Sequence, residues 1–249
     1  MPNKLVRWLA LGIGAIAIFW LGYSVGRVQN LSTLASLYRD ADVARYTLTR
    51  AGITVHYEKA GGDGKPYIET ADGLQLLDLS DWDPASRITV DGSSYDLVRI
   101  YPTSAVDYQR YRVAETLQGD GWQLEREITL APDGSVEIDH TFVARRPIKR
   151  VDLSLAHVHS YFVSLDVTGE RVEATVNRLT RGQQESGQKA TATYKLTISP
   201  QGSPAPHYRP GDAGIFGPTS SIAEYTASNP AQDQRTELGK EVVKVEKLQ

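Results

Sequence analysis

Residues 51–198 predict a mainly β domain, an antiparallel β-sandwich, carried behind one N-terminal transmembrane helix. Three observations lead there. Apolar residues recur at every second position through most of this stretch, the period of a strand with one buried face. Asp91-Gly92 and Pro132-Asp133-Gly134 punctuate the runs with residues that turn a chain tightly. No Gly-rich phosphate loop and no repeated β-α alternation appears, which argues against a parallel sheet.

The N-terminal element comes first in the chain. Leu5 to Val25 reads LVRWLALGIGAIAIFWLGYSV, without a charge from Trp8 onward, close to the ~20 residues that cross a bilayer as a helix. Trp8 near its start, and Trp20 and Tyr23 toward its end, are the expected interfacial anchors. Ala10 and Gly14, then Gly22 and Gly26, have the small-xxx-small spacing that lets a second helix approach. The apolar run is longer than a signal-peptide core and no A-x-A-like site follows it, so residues 1–27 are expected to stay as an anchor. Lys4 and Arg7 precede the helix. The positive-inside rule then places the C-terminal domain outside the cytoplasm, on the periplasmic side of an inner membrane.

Residues 28–50 carry Leu31, Leu34, Ala35, Leu37 and Tyr38 at helical spacing and read as a juxtamembrane helix or linker. Gly61 to Pro66 reads as a loop. Beyond it, Ile88 to Val90, Asp91-Gly92 and Tyr95 to Ile100 form an expected hairpin. Trp122, Leu124, Ile128 and Leu130 share one parity, with Arg126 as its single polar interruption. Val136, Ile138, His140 and Phe142 share one face of the next strand. From Val151 to Val167 one parity persists, as one long bent strand or two strands joined without a tight turn. Arg171 to Val176 and Ala190 to Ile198 complete a set of about ten strands, a number typical of a sandwich.

Residues 199–249 read differently. Pro200, Pro204, Pro206 and Pro210, with interspersed glycines, predict an extended exposed tail ending in a possible strand at residues 239–247. Tyr208, Ile215, Phe216 and Tyr225 give that tail the anchors of a partner-binding strap.

Composition narrows the function. The 249 residues are 41% hydrophobic and 23% charged, enough apolar material for a sizeable core. A net charge of -3 leaves no electrostatic footprint for nucleic acid. With no cysteine there is no disulfide framework, thiolate metal site or cysteine nucleophile. His140, His157 and His159 fall on the apolar parity of their strands, but no zinc-site spacing accompanies them, so they read as core histidines and no metal or other cofactor is expected. Asp78, Asp81 and Asp83 around Trp82 lack the glycine and the downstream glutamate of an EF-hand and read as a solvated loop.

The stretch WQLEREITLAPDGSVEIDHTFVARRPIKRVDLSLAHVHSYFVSL at residues 122–165, and within it His159-Ser160-Tyr161-Phe162, resembles the central strands of galactose-mutarotase-like β-supersandwich proteins. The periplasmic domain of bacterial membrane-protein insertases shares that fold and also follows a membrane helix. The resemblance implies a supersandwich. For an epimerase it implies His159 as the acid that protonates the ring oxygen, but Val158 stands where that family has asparagine, and no catalytic glutamate has a counterpart. The expectation is therefore a non-enzymatic accessory or scaffold subunit of a membrane complex, whose partners are the membrane and other membrane-protein subunits. A membrane-tethered carbohydrate-binding domain or degenerate sugar epimerase is the alternative.

Overall fold

The computed structural model describes residues 44–60, 63–79, 85–100, 102–158, 162–177, 192–211, 213–214, 217–218 and 220–248. The residues of the expected membrane helix, Trp8, Trp20, Tyr23, Ala10, Gly14, Gly22 and Gly26 among them, lie outside these residues, as do His159, Ile215 and Phe216. No helix among the described residues is long and apolar enough to cross a membrane.

Two large antiparallel sheets form from strands β1 (Ala44–Arg50), β2 (Ile53–Ala60), β3 (Asp63–Thr70), β4 (Gln75–Asp78), β5 (Arg87–Val90), β6 (Ser93–Asp96), β7 (Thr103–Asp107), β8 (Arg112–Gly119), β9 (Trp122–Leu130), β10 (Val136–Ala144), β11 (Arg150–Val158), β12 (Phe162–Thr168), β13 (Arg171–Asn177), β14 (Thr193–Gln201), β15 (His207–Pro210), β18 (Ser220–Ser228) and β19 (Arg235–Lys247). A small hairpin, β16 (Ala213–Gly214) with β17 (Gly217–Pro218), stands apart. The first sheet runs β1-β2-β3-β4-β11-β18-β15, with β5 and β6 branching from β11; the second runs β12-β13-β14-β19-β10-β9-β8-β7.

The period-two pattern decides what lies between the sheets. Tyr57, Ile68, Ile88 and Leu153 from the first sheet meet Leu117, Leu124, Phe142, Leu196 and Val243 from the second, all nearly inaccessible to water. On β9 the alternation is complete, with Trp122, Leu124, Arg126, Ile128 and Leu130 inward and the residues between them half-exposed. Asp91 and Gly92 both take positive φ, 49° and 83°, the pair that a tight two-residue hairpin needs, and β5 and β6 close around them.

Three expectations are corrected and one alternative is decided. Residues 44–50 of the expected juxtamembrane helix are strand β1, because Leu48 is inward-facing and its backbone pairs with Val55. The loop expected at residues 61–66 is largely strand, since Asp63 to Pro66 pair with β2. Of the two readings of the run at 151–167, the structure has the two strands, β11 in the first sheet and β12 in the second. The tail is the largest change. Far from being an exposed strap, residues 199–249 supply the end of β14 together with β15, β18 and β19, and β18 and β19 are interior strands, one in each sheet. Tyr208 and Tyr225, expected as exposed anchors, are 1% and 2% exposed. The prolines are accommodated because Pro200 lies beyond the β14 pairing with β13, and Pro210 sits on the edge strand β15.

Candidate functional site

Five buried titratable side chains fall in one interior layer. His140 on β10 and Glu241 on β19 project from the second sheet; His157 on β11, Tyr225 on β18 and Tyr208 on β15 project from the first. A register shift brings Glu241 inside. Gly239 pairs with His140 but Glu237 pairs with Thr141, so Leu238 is an extra residue on β19. One extra residue reverses the parity of everything after it. Leu238 before the bulge and Glu241 and Val243 after it therefore all face the core.

Glu241 accepts a 2.6 Å hydrogen bond from the Tyr225 hydroxyl through Oε2, and the same oxygen lies 3.4 Å from His157 Nε2. The His140 ring packs 4.9 Å from that of Tyr225. Burial pushes the Glu241 carboxyl up, but His157, His140 and the Tyr225 hydroxyl outweigh it and hold it at about 2. Burial drives His140 down to about 3 against the pull of Glu241, with Arg126 and His157 acting in the same direction as burial. The Tyr225 and Tyr208 hydroxyls are pushed up by burial and by the Glu241 charge. A second buried set adjoins: Arg126 Nε donates to Glu115 Oε2 at 2.6 Å, Arg126 Nη1 to the Leu79 carbonyl at 3.2 Å, and the Tyr57 hydroxyl to Glu115 Oε1 at 2.9 Å. All of these side chains are sealed from solvent, so no substrate reaches them in this conformation.

The accessible candidate is a groove of about 640 Å³ on the outer face of β8, β9, β10 and β19. Arg112, Thr116, Glu125, Glu127, Asp139, Thr141, Arg235 and Glu237 line it. Alternation makes the groove, because the residues between the core positions of four adjacent strands must face outward. Asp139 stands opposite Glu127 on one side and Lys240 on the other; Thr141 stands between Glu125 and Glu237. Arg112 Nη1 reaches Glu127 at 2.9 Å, Arg235 Nη2 reaches Glu125 at 2.8 Å, and Lys240 Nζ reaches Glu137 at 2.6 Å and Asp139 at 3.7 Å. Partial burial raises the Asp139 pKa, Lys240 opposes it, and Glu127, Glu137 and Glu237 add to it. Carboxylates outnumber cations on this face, and no aromatic side chain lines the groove. A second groove, of about 410 Å³, has Tyr194 as its aromatic lining residue, and that ring is 7% exposed with its hydroxyl bound to Asp72 at 3.1 Å.

Sequence parity placed His140, His157 and Arg126 inward, and the structure brings the two histidines to one carboxylate. Glu241 shares the parity of Val243 and Val245, but Val242 beside it is apolar too and breaks the alternation, so the period alone did not assign Glu241 to the inner face. The groove residues carried no signal beyond being the polar half of each strand. Among the described residues, no group of three His, Cys, Asp or Glu side chains is placed to hold a metal ion.

No protein-family model matches the chain, and no curated protein matches it. Solved structures do. A putative kojibiose phosphorylase from human microbiome is 12% identical over 80% of this chain and 30% of its own length, with a TM-score of 0.48. A GalM/aldose epimerase homologue from C. elegans is 10% identical over 82% of this chain and 99% of its own, with a TM-score of 0.48. The heparan sulfate lyase HepC from Pedobacter heparinus is 9% identical over 88% of this chain and 41% of its own, with a TM-score of 0.47. The chain has a weak resemblance to the galactose-mutarotase-like β-sandwich fold. The chain spans 30% of the phosphorylase and 41% of the lyase.

Proposed function

We propose that this chain is a membrane-tethered binding subunit, a non-enzymatic member of a membrane complex whose extracytoplasmic sandwich engages a partner protein through the outer face of its second sheet. The observation that carries the reading is the groove across β8, β9, β10 and β19, where carboxylates and cations are paired in rows across adjacent strands. Complementary charge of this kind fixes partner and register more than raw affinity. The interior histidines, tyrosines and Glu241 are sealed, which favours binding at the surface over catalysis at that layer. The N-terminal apolar run supplies the tether, and the charge before it supplies the orientation.

A photo-crosslinking residue placed at Thr141 or Glu237 in the full chain, in its native membrane, should capture one defined polypeptide, whereas the same residue at Ser154, on the outer face of the first sheet, should not. Equal capture from both faces, or none from the groove, would overturn the reading. A sugar-binding module needs aromatic platforms beside its polar groups, which the groove does not offer. Saturable binding of an oligosaccharide that is lost on substituting Asp139 and Glu127 would establish that alternative instead.

A further inference from the structure

The interior layer has a property that partner binding does not use. Both ring nitrogens of His140, Nδ1 of His157 and Oε1 of Glu241 are buried without a hydrogen-bond partner, although buried polar groups are ordinarily paired. The layer also lies where the two sheets meet: His140 and Glu241 belong to adjacent strands of one, His157 and Tyr225 to adjacent strands of the other. Among the described residues, the charged or titratable groups facing His140 are Glu241 from β19, Arg126 from β9, His157 from β11, Tyr225 from β18, and Tyr208 from β15 by way of Glu241.

We infer that this layer is a proton-operated latch, in which uptake of one solvent proton by His140 loosens the contact of β10 and β19 with β11 and β18. A neutral imidazole is tolerated in the sealed layer because it carries no charge to solvate. An imidazolium there faces the Arg126 guanidinium, and the one carboxylate able to offset it already accepts from Tyr225 and faces His157. Loosening lets water solvate the new charge.

The direction follows from linkage. Burial holds His140 at about 3 in the closed form, below its ordinary value near 6.5. Closure is therefore fully favoured above pH ~6.5 and weakens as pH falls toward the closed-form value, by ~tenfold in the opening equilibrium for each pH unit. Glu241, held at about 2 in the closed form, adds a second proton to the opening equilibrium only once pH falls below its ordinary value near 4.5.

The full chain in mild detergent provides the test. Amide hydrogen exchange in β10, β11, β18 and β19, corrected for the intrinsic pH dependence of exchange, is compared between pH 7 and pH 5. The opening equilibrium should rise about tenfold per unit below pH 6.5 in the native chain, and should be flat in His140→Gln and in His140→Phe. The glutamine variant keeps polarity and similar bulk should the phenylalanine variant fail to fold. A native profile without the rise, or a rise that persists in the folded His140 variant, would overturn the latch. A rise that instead disappears in His157→Gln alone would also overturn it, by assigning the proton to the other histidine.

Discussion

The Tyr225 hydroxyl on β18 donates to Glu241 Oε2 on β19 at 2.6 Å, and with that one bond a residue of the first sheet is tied to a residue of the second. Glu241 is wholly inaccessible to water, so the bond is charge-assisted in a low-dielectric setting, where losing a donor costs more than at the surface. Tyr225→Phe keeps the ring and its contact with His140 and removes only the donor. It should destabilise the fold by about 2 to 3 kcal/mol. The denaturant midpoint should fall while the slope stays constant; an unchanged midpoint would show that the bond contributes nothing net.

Gly239 makes the approach of that tyrosine possible. Its φ is +154°, and an added Cβ would meet the Tyr225 ring at 3.1 Å and the Pro204 carbonyl oxygen at 3.1 Å. Gly239→Ala should therefore displace the ring from Glu241 and destabilise by about 1 to 3 kcal/mol. The paired variant Gly239→Ala/Tyr225→Phe should lose less than the sum, since both changes act on one contact. Strict additivity in a double-mutant cycle would count against the coupling.

The interior layer was legible in the sequence only in part. Parity put His140 among Val136, Ile138 and Phe142, and His157 among Val151, Leu153 and Leu155, and both histidines are indeed inward. Arg126 was visible as a polar residue on an apolar parity. Glu241 was less legible, because Val242 and Val243 are both apolar and only the pairing of β19 with β10 shows which parity faces the core. The misplacement of Tyr208 and Tyr225 has another cause. Proline and glycine density predicted an exposed strap, but residues 220–228 and 235–247 hold only one glycine and no proline, and their pairing partners lie far back in the chain. Local composition weighs the neighbours of a strand and carries no information about partners so distant.

Arg126 and Glu115 form a buried ion pair in which Tyr57 shares the carboxylate. Removing one charge leaves the other stranded, so Arg126→Met should cost about 3 to 5 kcal/mol. Arg126→Met/Glu115→Gln should regain much of that loss, because the glutamine carbonyl oxygen still accepts from Tyr57 and neither charge of the pair is left stranded. Thermal unfolding of the three proteins decides it: a double variant no more stable than Arg126→Met would mean that packing by the arginine stem, rather than charge pairing, dominates.

The groove leads to a prediction about salt and charge. Arg112 pairs with Glu127 and Arg235 with Glu125, while Glu237 is exposed and Asp139 shares Lys240 with Glu137. The face is therefore left with an excess of negative charge, and a complementary partner presents cations to it. Glu237→Lys should slow association by about tenfold or more at low ionic strength, with little change in folding stability, since the side chain is exposed. The difference between native and variant should shrink as salt rises past ~0.15 M, where the screening length falls to ~8 Å. Association rates of the photo-captured partner, measured against salt for both proteins, distinguish this from a defect in folding. If the native rate does not depend on salt, the groove does not recruit its partner by charge; if Glu237→Lys speeds association, the sign assigned to the partner is wrong.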